Sequence, residues 1–410
     1  MSGLVAIVDP YESGAMFAPE FRERGHPCLM VQSTEEIPAD YRAAFNRADY
    51  VGIIRPNDEL AKTVEQLKSL EVKYVVAGSE SGVNLADHLS EALGLLSNGT
   101  RLTHARRDKC LMAHAVNRHG LRTPRRFCSN QLEQILEWVR RHGVWPVVIK
   151  PPHSMSSEGI YLCGSTAEVE RAFESLYGRV NKLGLVNETV LAQEFLGGDE
   201  YIVDTVSHNG RHHPVAIWKY TKPTPTAGLI GSFETKELLT CETEIARRLF
   251  AYTAGVLDAL GIKYGPGHCE LILKDTEPLL LEIGARTHGG EKAHHTCRAA
   301  GRPSQIELTV DSYLDGARFS ERTARPRGMT RRALMVLLKP RRSGRLRAFK
   351  NLSEVKGLRS FHEMKIDAQP GQVIPRFFGL VILLHQERDV IEDDLQRIRE
   401  LEEDGFYETE

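Results

Sequence analysis

The segment HCELILKDTEPLLLEIGARTHGG, residues 268–290, decides how this chain of 410 residues is read. Two apolar runs, 269–273 and 279–283, flank the polar turn Lys274-Asp275-Thr276-Glu277, the pattern of a β-hairpin. A hairpin centred near Thr276 sets Glu270 and Glu282 opposite one another, with Cβ atoms about 5 Å apart on one face. Period-2 alternation sends Cys269, Leu271, Leu273, Leu279, Leu281 and Ile283 to the other face, the core side, and carries Gly284 and Arg286 with the acids. Facing carboxylates repel unless a cation joins them. Hard oxygen ligands suit Mg²⁺, which typically takes one or two protein carboxylates together with substrate phosphates. The same pattern also describes a solvated hairpin face whose acids pair with Lys or Arg.

Outward from the hairpin, the chain divides into three stretches. Residues 1–100 alternate short apolar runs (4–8, 28–31, 50–54, 74–77) with amphipathic stretches (17–25, 40–47, 59–70, 84–94), the rhythm of a small doubly wound α/β domain with a parallel sheet. Ligands of such sheets bind at the C-terminal strand ends, which makes Glu80, in AGSESG, a candidate substrate contact. A helix-start acid is its plainer reading. Residues 101–325 are richer in antiparallel strands and fall into lobes 101–190 and 191–325. Helices are expected at 103–119, 130–142, 241–260 and 303–315, and strands at 146–151, 190–196 and 200–220. Asn209-Gly210 signals a type I′ hairpin turn. Residues 326–410 look like a small appended α+β unit.

Composition excludes little and implies an ordinary globular protein. Formal charge is −2, with 41% hydrophobic and 26% charged residues. The basic run KPRRSGRLRAFK (339–350) reads as a solvated or partner surface, so nucleic-acid binding is not expected. With no long apolar run and no basic-then-apolar leader, a cytoplasmic protein without membrane partners is expected. The seven cysteines are scattered and never spaced C-x-x-C, which favours free thiols over disulfides or zinc. His268, His288, His294 and His295 offer no familiar zinc spacing. His288 with Gly289 and Gly290 suits an acceptor pocket, where the imidazole either takes a proton or is structural.

The remaining chemistry lies in the middle stretch. Lys150 ends an apolar strand and precedes HSMSSEGI (153–160), a small polar loop able to fold over phosphates through its backbone N–H groups and Ser154, Ser156, Ser157 and Gly159. It is not a Walker A loop. Lys109 adds a second cation. AQEFLGGDEY (192–201) offers a strand edge for adenine, with Gln193 or Glu194 at the exocyclic amine and Glu200 at the ribose.

The order Lys109, Lys150 with its loop, the 193–200 strand, then Glu270, Glu282 and Arg286 resembles the ATP-grasp superfamily of carboxylate–amine ligases. AQEFLGGDEYIVDTVS and LEIGARTHGG look closest to the L-amino acid ligases that make dipeptides. The resemblance spans about 1–320. It implies that Lys109, Lys150 and residues 153–159 contact ATP phosphates, that Gln193, Glu194, Phe195, Leu196 and Glu200 hold adenine and ribose, and that Glu270 and Glu282 bind Mg²⁺ (or Mn²⁺). Arg286 would steady the transferring phosphoryl group, with His288, Gly289 and Gly290 near the substrates. An amide-forming reaction through an acyl phosphate follows, with a homodimer as one possible assembly. Gly284 departs from the family, which commonly has Asn there as a further metal ligand; Gln193 stands where Glu is frequent. Two other readings fit: a ligase of non-amino-acid carboxylates in specialised metabolism, and a nucleotide-binding regulatory protein with little turnover.

Overall fold

A computed structural model describes residues 3–409 except 35, 38–44, 56–58, 155–157, 182–183, 224–227, 230–232, 325–327, 341–343, 376 and 404–405. The N-terminal stretch forms a parallel sheet of β1 (Leu4–Val8), β2 (Cys28–Val31), β3 (Gly52–Ile54) and β4 (Val72–Ala77), ordered β3-β2-β1-β4. Its strands are apolar on both faces because helices cover both sides. Phe17, Phe21, Ile306 and Val310 pack on one side, and Val64, Leu67, Ala86 and Leu89 on the other. The expected amphipathic stretch at 40–47 lies largely outside the described residues.

Next come β5 (Arg126–Ser129), β6 (Val147–Lys150), β7 (Tyr161–Cys163), β8 (Val190–Glu194), β9 (Asp199–His208), β10 (Arg211–Thr221), β11 (Gly228–Leu229) and β12 (Thr235–Leu239). A five-stranded antiparallel sheet has the order β11-β7-β6-β8-β5. Val147, Ile149, Val190 and Ala192 turn toward helices Leu132–His142 and Thr166–Leu176. Alternation therefore turns Val148, Lys150, Leu191 and Gln193 the other way.

The second sheet has eight strands, all antiparallel, and adds β13 (Gly265–Lys274), β14 (Glu277–Gly284), β15 (Arg332–Leu338), β17 (Phe361–Ile366) and β18 (Gly379–His385). Its order is β14-β13-β9-β10-β12-β15-β18-β17. A small pair joins β16 (Leu346–Phe349) to β19 (Tyr407–Thr409). The final stretch is joined to the preceding one through the large sheet. It keeps its own core around Phe378 and Phe406, yet β15 pairs with β12 and continues the large sheet.

The decisive hairpin forms, with a difference that matters. Its turn is Asp275-Thr276, both at positive φ (52° and 94°), closed by Lys274 opposite Glu277. Regular pairing from that turn would oppose Glu270 to Leu281. A β-bulge that leaves Leu281 as the extra residue brings Glu282 opposite Glu270 instead. It also changes which leucines are core: Leu280, not Leu279 or Leu281, joins Cys269, Leu271 and Ile283, while Leu279 and Leu281 turn to the other face with Leu196 and Ile272. The expected Asn209-Gly210 turn is present, with φ of 51° and 73°.

One expectation about cysteines is overturned. Cys110, at the start of helix Lys109–Arg118, and Cys128, in β5, form a disulfide with Cα atoms 6.5 Å apart. Separated by 18 residues, they meet only because the helix start packs beside β5. The other five are free thiols.

Candidate functional site

The site lies where the uncovered face of the five-stranded sheet meets the β9–β13–β14 end of the large one. Asp108 caps helix Lys109–Arg118 by accepting from the backbone N–H of Cys110 and Leu111, which fixes where Lys109 points. The Lys109 ammonium reaches Glu282 Oε2 at 2.6 Å and Ser154 Oγ at 3.3 Å. Arg126, in β5, donates to the Lys109 carbonyl at 3.0 Å and to the Leu280 carbonyl at 2.9 Å, tying together the elements that carry both metal-binding candidates and phosphate-binding candidates. Burial lowers Arg126 to about 10. Lys150 is buried and, among the described residues, has no ion-pair partner. Burial first, then the neighbouring charges of Lys109 and Arg126, push its ammonium down to about 7. Three crowded cations are unfavourable alone and well suited to a polyanion.

Beside them, Leu196, Ile272, Leu279 and Leu281 form a small apolar platform on the ligand face. Gln193 is buried, and its Oε1 has no hydrogen-bond partner among the described residues. A buried acceptor left unpaired costs stability unless a ligand donor meets it, and an exocyclic amine would. Of the two side chains proposed for that task, only Gln193 is free. Glu194 is engaged by Arg125, whose backbone N–H and Nε approach its carboxylate at 2.8 and 3.2 Å. Glu200 is buried on the platform's side and accepts from Lys222 at 2.5 Å. Burial raises the Glu200 carboxyl, against the pull of Lys222. Gly159 is explained by packing: its φ is 66°, and a Cβ there would stand 2.7 Å from Leu176. Ser156 and Ser157 lie outside the described residues.

Glu270 and Glu282 are cross-strand partners. Burial would raise Glu270, but His268, Lys222 and Arg286 outweigh it and bring it to about 2, so it stands ready as an anionic oxygen ligand. Behind it lies a network the sequence did not announce. Asp204, in β9, accepts from His268 Nδ1 at 2.7 Å, His288 Nδ1 at 2.8 Å and Trp218 Nε1 at 2.9 Å. Burial would raise this carboxyl, yet the two histidines hold it far below the usual range. His268 Nε2 lies 3.4 Å from Glu270 Oε1. Burial and Arg286 push His268 down, and its bonds to Asp204 and Glu270 outweigh them, leaving it raised. His288 is neutral: burial lowers it strongly, and Lys236 adds to this. Its Nε2 sits 2.8 Å from the Lys236 ammonium. Asp204, His268 and His288 converge as metal-binding groups do. Each facing nitrogen already donates to Asp204, so hydrogen bonding accounts for the arrangement. His288 is therefore buried with both ring nitrogens engaged and does not line an open pocket.

Arg286 closes the site. Its Nε donates to Glu80 Oε2 at 3.1 Å, and Arg107 approaches the other Glu80 oxygen at 3.5 Å. Glu80 thus comes from the end of β4 to the carboxylate hairpin, 206 residues away in sequence. A Cβ at Gly284 would stand 2.8 Å from Glu80 Oε2 and 3.2 Å from Arg286 Nε, so a larger residue there requires these side chains to shift. Gly289 and Gly290 follow, Gly290 at φ 78°. Arg126, Asp204, Lys222 and Lys236 escaped sequence reading. The one available signal was Asp204, a buried acid in β9 whose register partner is His268.

Opposed carboxylates on a hairpin thus face a cluster of buried cations beside an apolar platform, an arrangement that fits an ATP-grasp domain. Residues 144–294 match the ATP-grasp domain model. Dapdiamide A synthase of Enterobacter agglomerans is 29% identical across 98% of this chain and 97% of its own length. The L-arginine-specific L-amino acid ligase of Bacillus subtilis is 24% identical over 59% of each. The crystal structure of an L-amino acid ligase from Bacillus licheniformis superposes with a TM-score of 0.74 at 18% identity, covering 97% of both chains, which establishes the shared fold. Among the described residues, no helix is long and apolar enough to cross a membrane.

Proposed function

We propose that this protein joins the carboxylate of one amino acid to the amine of a second, using ATP and passing through an acyl phosphate. The observation that carries this reading is the meeting of Lys109, Lys150 and Arg126 with Glu270 and Glu282 at one cleft. Crowded cations suit a polyanion, and the two opposed carboxylates suit a divalent cation bound to it. The amino-acid substrates are argued from the end-to-end similarity to dapdiamide A synthase and the partial similarity to the L-arginine-specific ligase.

A carboxylate is a poor electrophile, so it must first take a phosphoryl group. Mg²⁺, held by Glu270 and Glu282, would supply Lewis-acid neutralisation of the phosphate oxygens when bound. The chain's own groups do the rest. Lys109, released from Glu282, and Lys150 offset charge on the triphosphate. Gln193 and the Leu196–Ile272–Leu279 platform orient the base, and Glu200 faces the ribose. Arg286, held in plane by Glu80, points its positive charge at the oxygens that gain charge in both steps. His268 and Asp204 set the orientation of Glu270 from behind. The amine then attacks the acyl carbon, the C–O bond to phosphate breaks, and phosphate leaves.

Incubation with MgATP and a mixture of amino acids, followed by mass spectrometry, tests this. A product weighing two reactants less one water is expected, with ADP and phosphate in equal amount. ATP turnover that yields no such mass from any amino-acid pair would overturn the reading.

A further inference from the structure

Glu12 lies in the 3₁₀ turn Glu12–Met16, which follows β1 at the same end of the parallel sheet as Glu80. The turn is docked on the loop after Arg286: Ser13 Oγ and Thr287 Oγ1 are hydrogen-bonded at 3.0 Å and buried. Gly14 abuts the Gly78 carbonyl so closely that a Cβ would stand 2.0 Å from it. The position of Glu12 is therefore fixed by packing, and its backbone is held at φ 49°, an unfavourable region for a residue with a Cβ. Its Oε2 stands 3.2 Å from where a Gly289 Cβ would be, so the absent side chain at 289 leaves the space in front of the carboxylate open.

Among the described residues, the Glu12 carboxylate has no hydrogen-bond or ion-pair partner. Burial raises its carboxyl, and the more distant charges of Arg286 and His268 only partly offset this. Glu80 is different, since Arg286 and Arg107 already occupy it. The cleft thus presents one committed carboxylate and one uncommitted one, within reach of the arginine expected to meet the reacting carboxyl. An α-amino acid carries its ammonium two bonds from its carboxyl carbon. When that carboxyl is set before Arg286, the ammonium needs a nearby anion that is not already paired. The second substrate's amine must be neutral to attack, so a carboxylate that holds an ammonium belongs with the acyl donor.

We infer that Glu12 receives the α-ammonium of the amino acid whose carboxylate is activated, and so makes the donor site select amino acids over plain carboxylic acids. This assignment rests on the amino-acid reading given above. The test uses hydroxylamine as acceptor, which traps the activated carboxylate as a hydroxamate and removes the second amino acid from the comparison. kcat/KM is measured for the L-amino acid that best supports hydroxamate formation in a standard panel, and for the same acid with hydrogen in place of its amino group. Glu12→Gln should lower the amino-acid value roughly 10- to 100-fold, the range for a charge-assisted hydrogen bond, and leave the desamino acid unchanged. Glu12→Gly relieves the positive φ, so it should give the same loss of discrimination without a lower melting temperature. A wild type active on amino acids, with a ratio unmoved by both variants, overturns the Glu12 assignment alone. A wild type that activates no amino acid overturns the amino-acid reading and this assignment with it.

Discussion

Lys150→Met should stabilise the ligand-free protein while removing its activity. In the folded protein the ammonium is taken from its ordinary 10.5 to about 7, chiefly by burial and then by Lys109 and Arg126. At 1.36 kcal/mol for each pH unit, that amounts to roughly 5 kcal/mol held against the folded state wherever the group is charged in both states. Met keeps most of the side-chain volume and carries no charge, so a gain of about 3–5 kcal/mol is expected below pH 7 once partial relaxation is allowed for. The sign follows from proton counting. Between about pH 7 and 10.5 the unfolded chain keeps the proton that the folded protein has released, so wild-type stability rises with pH across that window. The advantage of the variant should therefore be largest at pH 6 and shrink toward pH 10. Thermal unfolding of both proteins without nucleotide, at several pH values, measures it. In parallel, amino-acid-dependent phosphate release should fall on the order of 10²–10³-fold, the cost of losing one preorganised electrostatic contact. A variant less stable than wild type at pH 6, or one whose advantage does not change with pH, would refute the idea of an electrostatically strained site awaiting a polyanion.

Glu282→Gln should leave Lys109 without its 2.6 Å partner and weaken the metal site, so phosphate release should fall steeply and require more Mg²⁺ for half-maximal rate. Gly284→Asn, which restores the residue common in the family, should reduce activity, because its Cβ meets Glu80 and Arg286; steady-state kinetics checks this, and an activity gain would contradict the packing argument. Asp204→Ala strips one buried carboxylate from three donors and should destabilise the fold by about 3–5 kcal/mol, read by denaturant unfolding.

Much of the site was legible because its parts sit on regular elements with local signatures. The hairpin could be read from two apolar runs and a polar turn; its acids were set opposite one another by centring it on Thr276, a pairing the fold reaches through a bulge. Lys150 could be read as the end of a strand before a small-residue loop. The bulge at Leu281 could not, since nothing in LLLE distinguishes a bulged leucine from a regular one, and only the facing strand decides the register. His288 was placed near a pocket by proximity to Arg286 in sequence. Its true environment is set by Asp204 and Lys236, which lie 84 and 52 residues away. Pairing of Cys110 with Cys128 was illegible for the same reason, as it depends on where a helix start meets a strand.

By itself, the order of residues determined the parallel N-terminal sheet and the antiparallel sheets that follow, and it marked Lys109, Lys150, Glu270, Glu282 and Arg286 as candidates. Periodicity and turn chemistry act over a few residues, so such features survive being read one segment at a time. Tertiary structure decided how those pieces are balanced. It brought Glu80 into the space an asparagine would fill at 284, tied Glu194 to Arg125 while leaving Gln193 unpaired, and set Glu12 open beside Gly289. Each is a matter of charge and packing between segments far apart in the chain. The energies involved exist only once the fold has excluded water and fixed which groups face one another.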